Sequence, residues 1–231
     1  MQQEVPGLYL FKDFFDPQRC ENILEESLLI HDKLEKEANE SNTPINSANI
    51  PQPDFVKSEK HNLKSNESFL RLTIKETTGN IKGEYFPRYG EDGHVLAYFR
   101  GNENLPRFVN TFLPNIKALI NDNNIITDDI EDSWRLTMNF YKNISGLVSG
   151  FPFHVDIPTN GVVTMILNTH REATFQITNG NKTIDLYLPV GALLILSGES
   201  RYTWKHRVLP SESESDIENY IERISLVLGV K

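Results

Sequence analysis

The chain has one cysteine, Cys20, in 231 residues. That excludes an intrachain disulfide framework and points to a reducing compartment, cytoplasm or nucleus. It lacks the run of about 18 apolar residues that a membrane-spanning helix needs. Glu4 and Pro6 stand where a secretory signal would carry a basic patch and an apolar stretch. Positive charge is scarce: 23 Lys and Arg against 32 Asp and Glu, a net charge of -9. Phosphate backbones are bound through Lys and Arg, so nucleic-acid binding would need a local patch such as Arg71, Lys75, Lys82, Arg88, Arg100 and Arg107. An acidic chain equally suits a basic protein tail. There is no internal repeat.

What is present is enough apolar content, 39%, for one sizeable core. Asp16-Pro17 reads as an N-cap and first helical position. Cys20, Ile23, Leu24, Ser27, Leu28, His31 and Leu34 then share one face of a helix ending near Lys36. Residues 40 to 59 are rich in Asn, Ser and Pro and read as a loop or lid. Strand-like pieces at Leu70 to Lys75 and Val95 to Arg100 flank an aromatic turn, Tyr85 to Gly90. A second helical stripe from Leu105 to Ile120 is broken at Pro114, and 121 to 132 is an acidic connector.

Beyond it, short apolar runs alternate with Asn, Gly, Pro and Ser: Trp134 to Tyr141, Phe151 to Asp156, Val162 to Leu167, Ala173 to Ile177, Thr183 to Leu188, Ala192 to Leu196, Tyr202 to Val208 and Ile221 to Val230. Eight such strands suit a jelly roll, or double-stranded β-helix. The expected fold is α+β: residues 1–132 an N-terminal extension with helices and a lid, residues 133–231 the jelly-roll core, the two forming one integrated domain.

His154-x-Asp156 offers an imidazole and a carboxylate to one metal, and His206 can complete one face of an octahedron, with His154 and His206 facing each other across the barrel mouth. The open opposite face suits Fe(II); two His and one Asp also serve Zn in hydrolysis. Arg223 sits in an apolar strand, where a buried guanidinium needs a carboxylate. Asn139 and Tyr141 are two apart and share a strand face, although a strand Tyr is more often a packed aromatic with its hydroxyl at a rim. His31, His61, His94 and His170 show no ligand spacing and read as solvated or structural. Arg201 and Trp204 read as core and rim residues, Cys20 as a small hydrophobe.

Four segments carry a family resemblance: Trp134 to Tyr141, His154-x-Asp156, Leu194 to His206, and Arg223-x-Ser225. With the opening Val5 to Phe15, they resemble the AlkB family of Fe(II)/2-oxoglutarate-dependent dioxygenases. The likeness is good over 133–231 and at the N-terminus, and poor from about 40 to 130. It implies His154, Asp156 and His206 as catalytic iron ligands, Arg223 on the distal carboxylate of 2-oxoglutarate, Asn139 and Tyr141 hydrogen-bonding that co-substrate, and Ser225 where many members have Asn. Gly229 departs from the pattern, since bacterial members have a second Arg there. The segment from Tyr141 to His154 is longer than theirs, implying a loop that bulges at the mouth.

The resemblance further implies Fe(II), 2-oxoglutarate and O2 as cofactors, and oxidative demethylation at nitrogen or hydroxylation at carbon as the outcome. Substrates would be alkylated nucleic acid or methylated Lys of a basic protein such as a histone, handled by a monomer with no membrane association. A lid over 40 to 100 would place Tyr85, Phe86, Tyr89, Tyr98 and Phe99 to stack on a flipped base; strand and loop packing is the plainer reading of each. The alternative to an enzyme is a non-catalytic metal-binding barrel that recruits a partner.

Overall fold

A computed structural model describes residues 5–40, 70–77, 79–89, 94–126, 131–156 and 158–231, without the side chains of 70–72 and 87–89. Helices are α1 (Pro17–Glu40), α2 (Arg107–Asn110), α3 (Leu113–Asp122) and α4 (Gly198–Tyr202). Strands are β1 (Leu8–Phe11), β2 (Leu70–Glu76), β3 (Gly79–Tyr89), β4 (His94–Arg100), β5 (Trp134–Ile144), β6 (Leu147–Val148), β7 (Phe151–His154), β8 (Val163–His170), β9 (Ala173–Thr178), β10 (Thr183–Leu188), β11 (Leu193–Leu196), β12 (Lys205–Val208), β13 (Ser211–Glu212) and β14 (Ile221–Val230).

They form two antiparallel sheets, a major one ordered β1-β11-β8-β14-β5-β4-β3-β2 and a minor one ordered β10-β9-β12-β7. Alternation along each strand assigns the faces. On β5, Trp134, Leu136, Met138 and Phe140 enter a core shared with α1, α2 and α3, while Thr137, Asn139 and Tyr141 face the space between the sheets. Helix α1 starts as its sequence dictates, with Asp16 Oδ1 accepting the Arg19 N–H at 2.8 Å. It buries Cys20, Ile23, Ser27, Ile30, His31 and Leu34 at three- and four-residue spacing. Between the sheets, one end is filled by Phe175, Ile177, Leu194, Leu196 and Trp204. The other end is open and holds the site.

Several expectations need correction. The aromatic stretch expected as a turn is, from Tyr85 to Tyr89, part of β3, paired to β4 through Tyr85–Ala97 and Phe86–Leu96; Gly90 lies outside the described residues. The described residues between 70 and 100 therefore extend the major sheet and form no loop lid; residues 41–69, 78 and 90–93 lie outside the described set. Tyr85 and Phe99 are in the core against the helices, Phe86 is buried, and of those aromatics Tyr98 alone is seen to line the site, the Tyr89 side chain lying outside the described set. The strand expected from Tyr202 begins at Lys205, because Ser197 caps α4 in a capping box with Ser200. The segment from Tyr141 to His154 closes as a hairpin, β6 pairing β5 and β13 after a turn in which Ser145 and Gly146 both take positive φ.

Candidate metal and co-substrate site

His154 is the last residue of β7 and His206 lies on β12, and the two are direct cross-strand partners. They are neighbours in one sheet and do not face each other across the mouth; their ring centroids are 4.2 Å apart. Asp156 follows β7 and turns its carboxylate toward both: Oδ1 is 3.7 Å from His154 Nε2 and Oδ2 3.8 Å from His206 Nε2. Donors bound to one divalent ion through bonds of roughly 2.0–2.2 Å lie within about 4.4 Å of each other, so both separations fit a shared ion. Among the described residues this is the one cluster of three or more His, Cys, Asp or Glu found close enough to hold a metal.

The surroundings prepare these donors. His154 Nδ1 lies 2.8 Å from the Pro152 carbonyl, which can only accept, so Nδ1 carries the proton and Nε2 presents its lone pair. His206 is oriented by packing, its ring stacked on Phe175 at 5.3 Å, and its Nδ1 is buried with no hydrogen-bond partner. Thr164 donates its hydroxyl to Asp156 Oδ2 at 2.9 Å. Arg201, fully buried, donates Nη1–H to the Asp156 backbone carbonyl at 2.7 Å. Burial alone would raise the Asp156 pKa, but His206, His154 and Arg201 outweigh it and hold the carboxyl well below its usual range. Burial, then His154, pushes His206 down to about 3. At neutral pH the trio is thus a carboxylate with a neutral His206, the protonation state that ligation needs.

The cavity measures about 730 Å3 out to its open mouth. Its floor is the inner face of the major sheet in cross-strand rows. His94, Tyr141 and Arg223 form one row and Leu96, Asn139 and Ser225 the next. Asn139 Nδ2 lies 3.5 Å from Ser225 Oγ, at the limit of a hydrogen bond. Arg223 is 4% exposed, its Nε and Nη2 have no acceptor, and its guanidinium carbon sits 3.6 Å from the Tyr141 ring centroid. His94 stacks on the other side of the row, 5.2 Å from the Tyr141 ring. A buried cation with open donors, at the end of a cavity whose other end carries the His and Asp cluster, is shaped for an anion.

No protein-family model matches the chain, and no curated protein does. Solved structures do. A prolyl-4-hydroxylase from Pseudomonas putida is 12% identical, with TM-score 0.55, covering 97% of this chain and 92% of that one. A prolyl hydroxylase from Trichoplax adhaerens, in complex with a hypoxia-inducible-factor peptide fragment, is 13% identical, with TM-score 0.53, over 97% and 83%. The fold is a jelly roll, shared with these two hydroxylases. OsALKBH1 covers the whole of both chains at 16% identity, but with TM-score 0.49. Membership of the AlkB branch gains no support from this.

The geometry gathers all seven expected site residues: His154, Asp156, His206, Asn139, Tyr141 and Ser225 line the cavity, and Arg223 shares its floor row. It adds four more: Thr164 and Asn160, which sequence reasoning passed over, and Arg201 and His94, which it read as a core residue and as a solvated or structural one. Thr164 and Arg201 brace Asp156, His94 is a buried partner of Tyr141, and Asn160 reaches the mouth. Gly229 is explained by packing. A Cβ there would lie 1.8 Å from the Asn160 carbonyl oxygen, because the 3-10 turn Pro158–Asn160 crosses directly over it. The position cannot carry an Arg while that turn stays in place.

Proposed function

We propose that the chain is an Fe(II)/2-oxoglutarate-dependent dioxygenase. The observation that carries this is the buried Arg223, with unsatisfied donors, in the row shared with Tyr141 and one row from Asn139 and Ser225. A zinc hydrolase or a passive metal-binding barrel has no use for it. Nor does Gly229 argue for a decayed site, since packing accounts for it. His154, Asp156 and His206 would hold the metal, which, when bound, supplies oxidative decarboxylation of the oxo-acid coupled to oxidation of a substrate C–H bond. Arg223 would grip the distal carboxylate through its fork, Tyr141 would orient that fork, and Asn139 and Ser225 would offer hydrogen bonds along the floor. Phe151, Phe175, Ile166 and Val227 give the cavity an apolar lining that disfavours water. Adding Fe(II) and 2-oxoglutarate anaerobically should give a weak visible charge-transfer band, absent from Asp156→Ala and His154→Ala. No band and no succinate from wild type would overturn the reading.

The finer reading is oxidative N-demethylation or hydroxylation, and the two differ only in which carbon is presented to the metal. Alkylated nucleic acid and methylated Lys of a basic protein are the candidate substrates. Two proteins of the same fold are named prolyl hydroxylases, so unmethylated peptides belong in the same screen. Formaldehyde release separates demethylation from stable hydroxylation.

A further inference from the structure

The floor rows continue past the cavity. The next row holds Tyr98, Thr137 and Val227, and the one after it Arg100, Arg135, Gly229 and Thr164, on β4, β5, β14 and β8. Thr164 is the residue that donates to the carboxylate of Asp156. At about 4.8 Å per strand, the Arg135 backbone is roughly 10 Å from that of Thr164. Arg100 and Arg135 are thus directly opposed cations on the concave face, separated from Thr164 by the turn that crosses Gly229. Like charges so placed repel, and a fold gains nothing by pairing them unless something anionic lies between.

The structure supplies little that does. Glu84 reaches Arg100 at 3.8 Å, the Arg100 guanidinium rests 4.8 Å from the Tyr98 ring centroid, and Arg100 Nε is buried without an acceptor. Arg135 makes no ion pair among the described residues, and its Nη1 is likewise buried without an acceptor. Lys82 and Lys75 extend the same face of the sheet as exposed neighbours, so this face is locally cationic in a chain of net charge -9. The sequence patch is therefore partly real: Lys75, Lys82 and Arg100 share this face and Arg135 joins them. Arg107 does not; its backbone N–H donates to the Glu76 carboxylate at the start of α2.

We propose that Arg100 and Arg135 form an oxyanion subsite, across the Pro158–Asn160 turn from the metal cluster, for a phosphate or carboxylate group of the substrate. Two guanidinium forks converging on one group give strong, geometry-specific binding, and the same charge disfavours a cationic methyl-Lys tail. The link to catalysis rests on the oxygenase reading; the anion binding does not, so metal-free protein tests it separately. Pyrophosphate and citrate are titrated calorimetrically at low salt into wild type, Arg100→Gln, Arg135→Gln, the double variant and Arg223→Gln. Wild type should bind at least one probe, the tighter one naming the source. Each single Gln variant should weaken that binding about tenfold or more, and the double variant should lose it.

Relieving the repulsion should also leave the double variant as stable as wild type or more so, a result that a merely structural pair would not give. Arg135→Lys, which keeps the charge but not the fork, should bind at intermediate strength and guards against a folding defect in the Gln variants. Failure of wild type to bind either probe would overturn the subsite, as would full binding by the double variant or loss confined to Arg223→Gln.

Discussion

Replacing Arg223 with Met separates a ligand-holding Arg from a structural one, because the two roles predict opposite signs. In the free protein the guanidinium is 4% exposed with two nitrogens unsatisfied, and taking a charge out of water costs several kcal/mol when no partner repays it. Against that stands the contact with Tyr141, worth about 0.5 to 2 kcal/mol as a cation–π pair. Desolvation wins, so Arg223→Met should unfold at the same temperature as wild type or higher in the absence of ligand. With 2-oxoglutarate at 100 times its Kd, wild type gains about 2.7 kcal/mol, which at about 2–4 °C per kcal/mol for a chain of this size raises Tm by about 5–11 °C. Losing a buried charge pair costs about 3–5 kcal/mol, roughly two to three and a half orders of magnitude in Kd. At the same ligand concentration the variant's shift should then fall to about 1–2 °C or less. Thermal melts with and without Fe(II) and 2-oxoglutarate measure both quantities. An unliganded Tm well below wild type together with an intact ligand shift would refute the argument, leaving Arg223 a structural residue.

Three further outcomes follow from the packing. Gly229→Ala should cost about 1–3 kcal/mol, the usual range for overpacking, because its Cβ meets the Asn160 carbonyl at 1.8 Å; an unchanged Tm would show that the turn moves freely. Arg201→Met removes the donor to the Asp156 carbonyl and should weaken metal affinity about 10- to 100-fold, read by competition with a chelating dye; equal affinity would return Arg201 to the role of core filler. Burial, followed by Lys142, lowers the His31 pKa, so the folded state resists a proton that the unfolded state takes up near pH 6.5. Stability should therefore be full above that pH and fall as pH drops below it, and His31→Gln should lose part of this dependence in denaturant titrations; the same slope in both proteins would discount His31.

Much of the frame was legible along the chain, because it rests on local rules. Asp16-Pro17 and a three-and-four apolar spacing are enough to start and orient α1, and period-two alternation marked most of the barrel strands and put Asn139 and Tyr141 on one face. The donor types of His154-x-Asp156 and a later His named a metal chemistry before any contact was known. Apart from the local cap that makes α4 of the expected strand at Tyr202, the misreadings have one cause. Which strands pair, and in which register, is set by burial and turn geometry between distant segments, and no single segment displays it. Tertiary structure alone made His154 and His206 neighbours on β7 and β12, drew the aromatic stretch at Tyr85 into β3, and laid the Pro158–Asn160 turn over Gly229. It also brought Arg201 under Asp156 and aligned Arg100, Arg135, Gly229 and Thr164 across four strands. The residue types that can bind metal and anion belong to the sequence; their convergence on one cavity is the work of strand register.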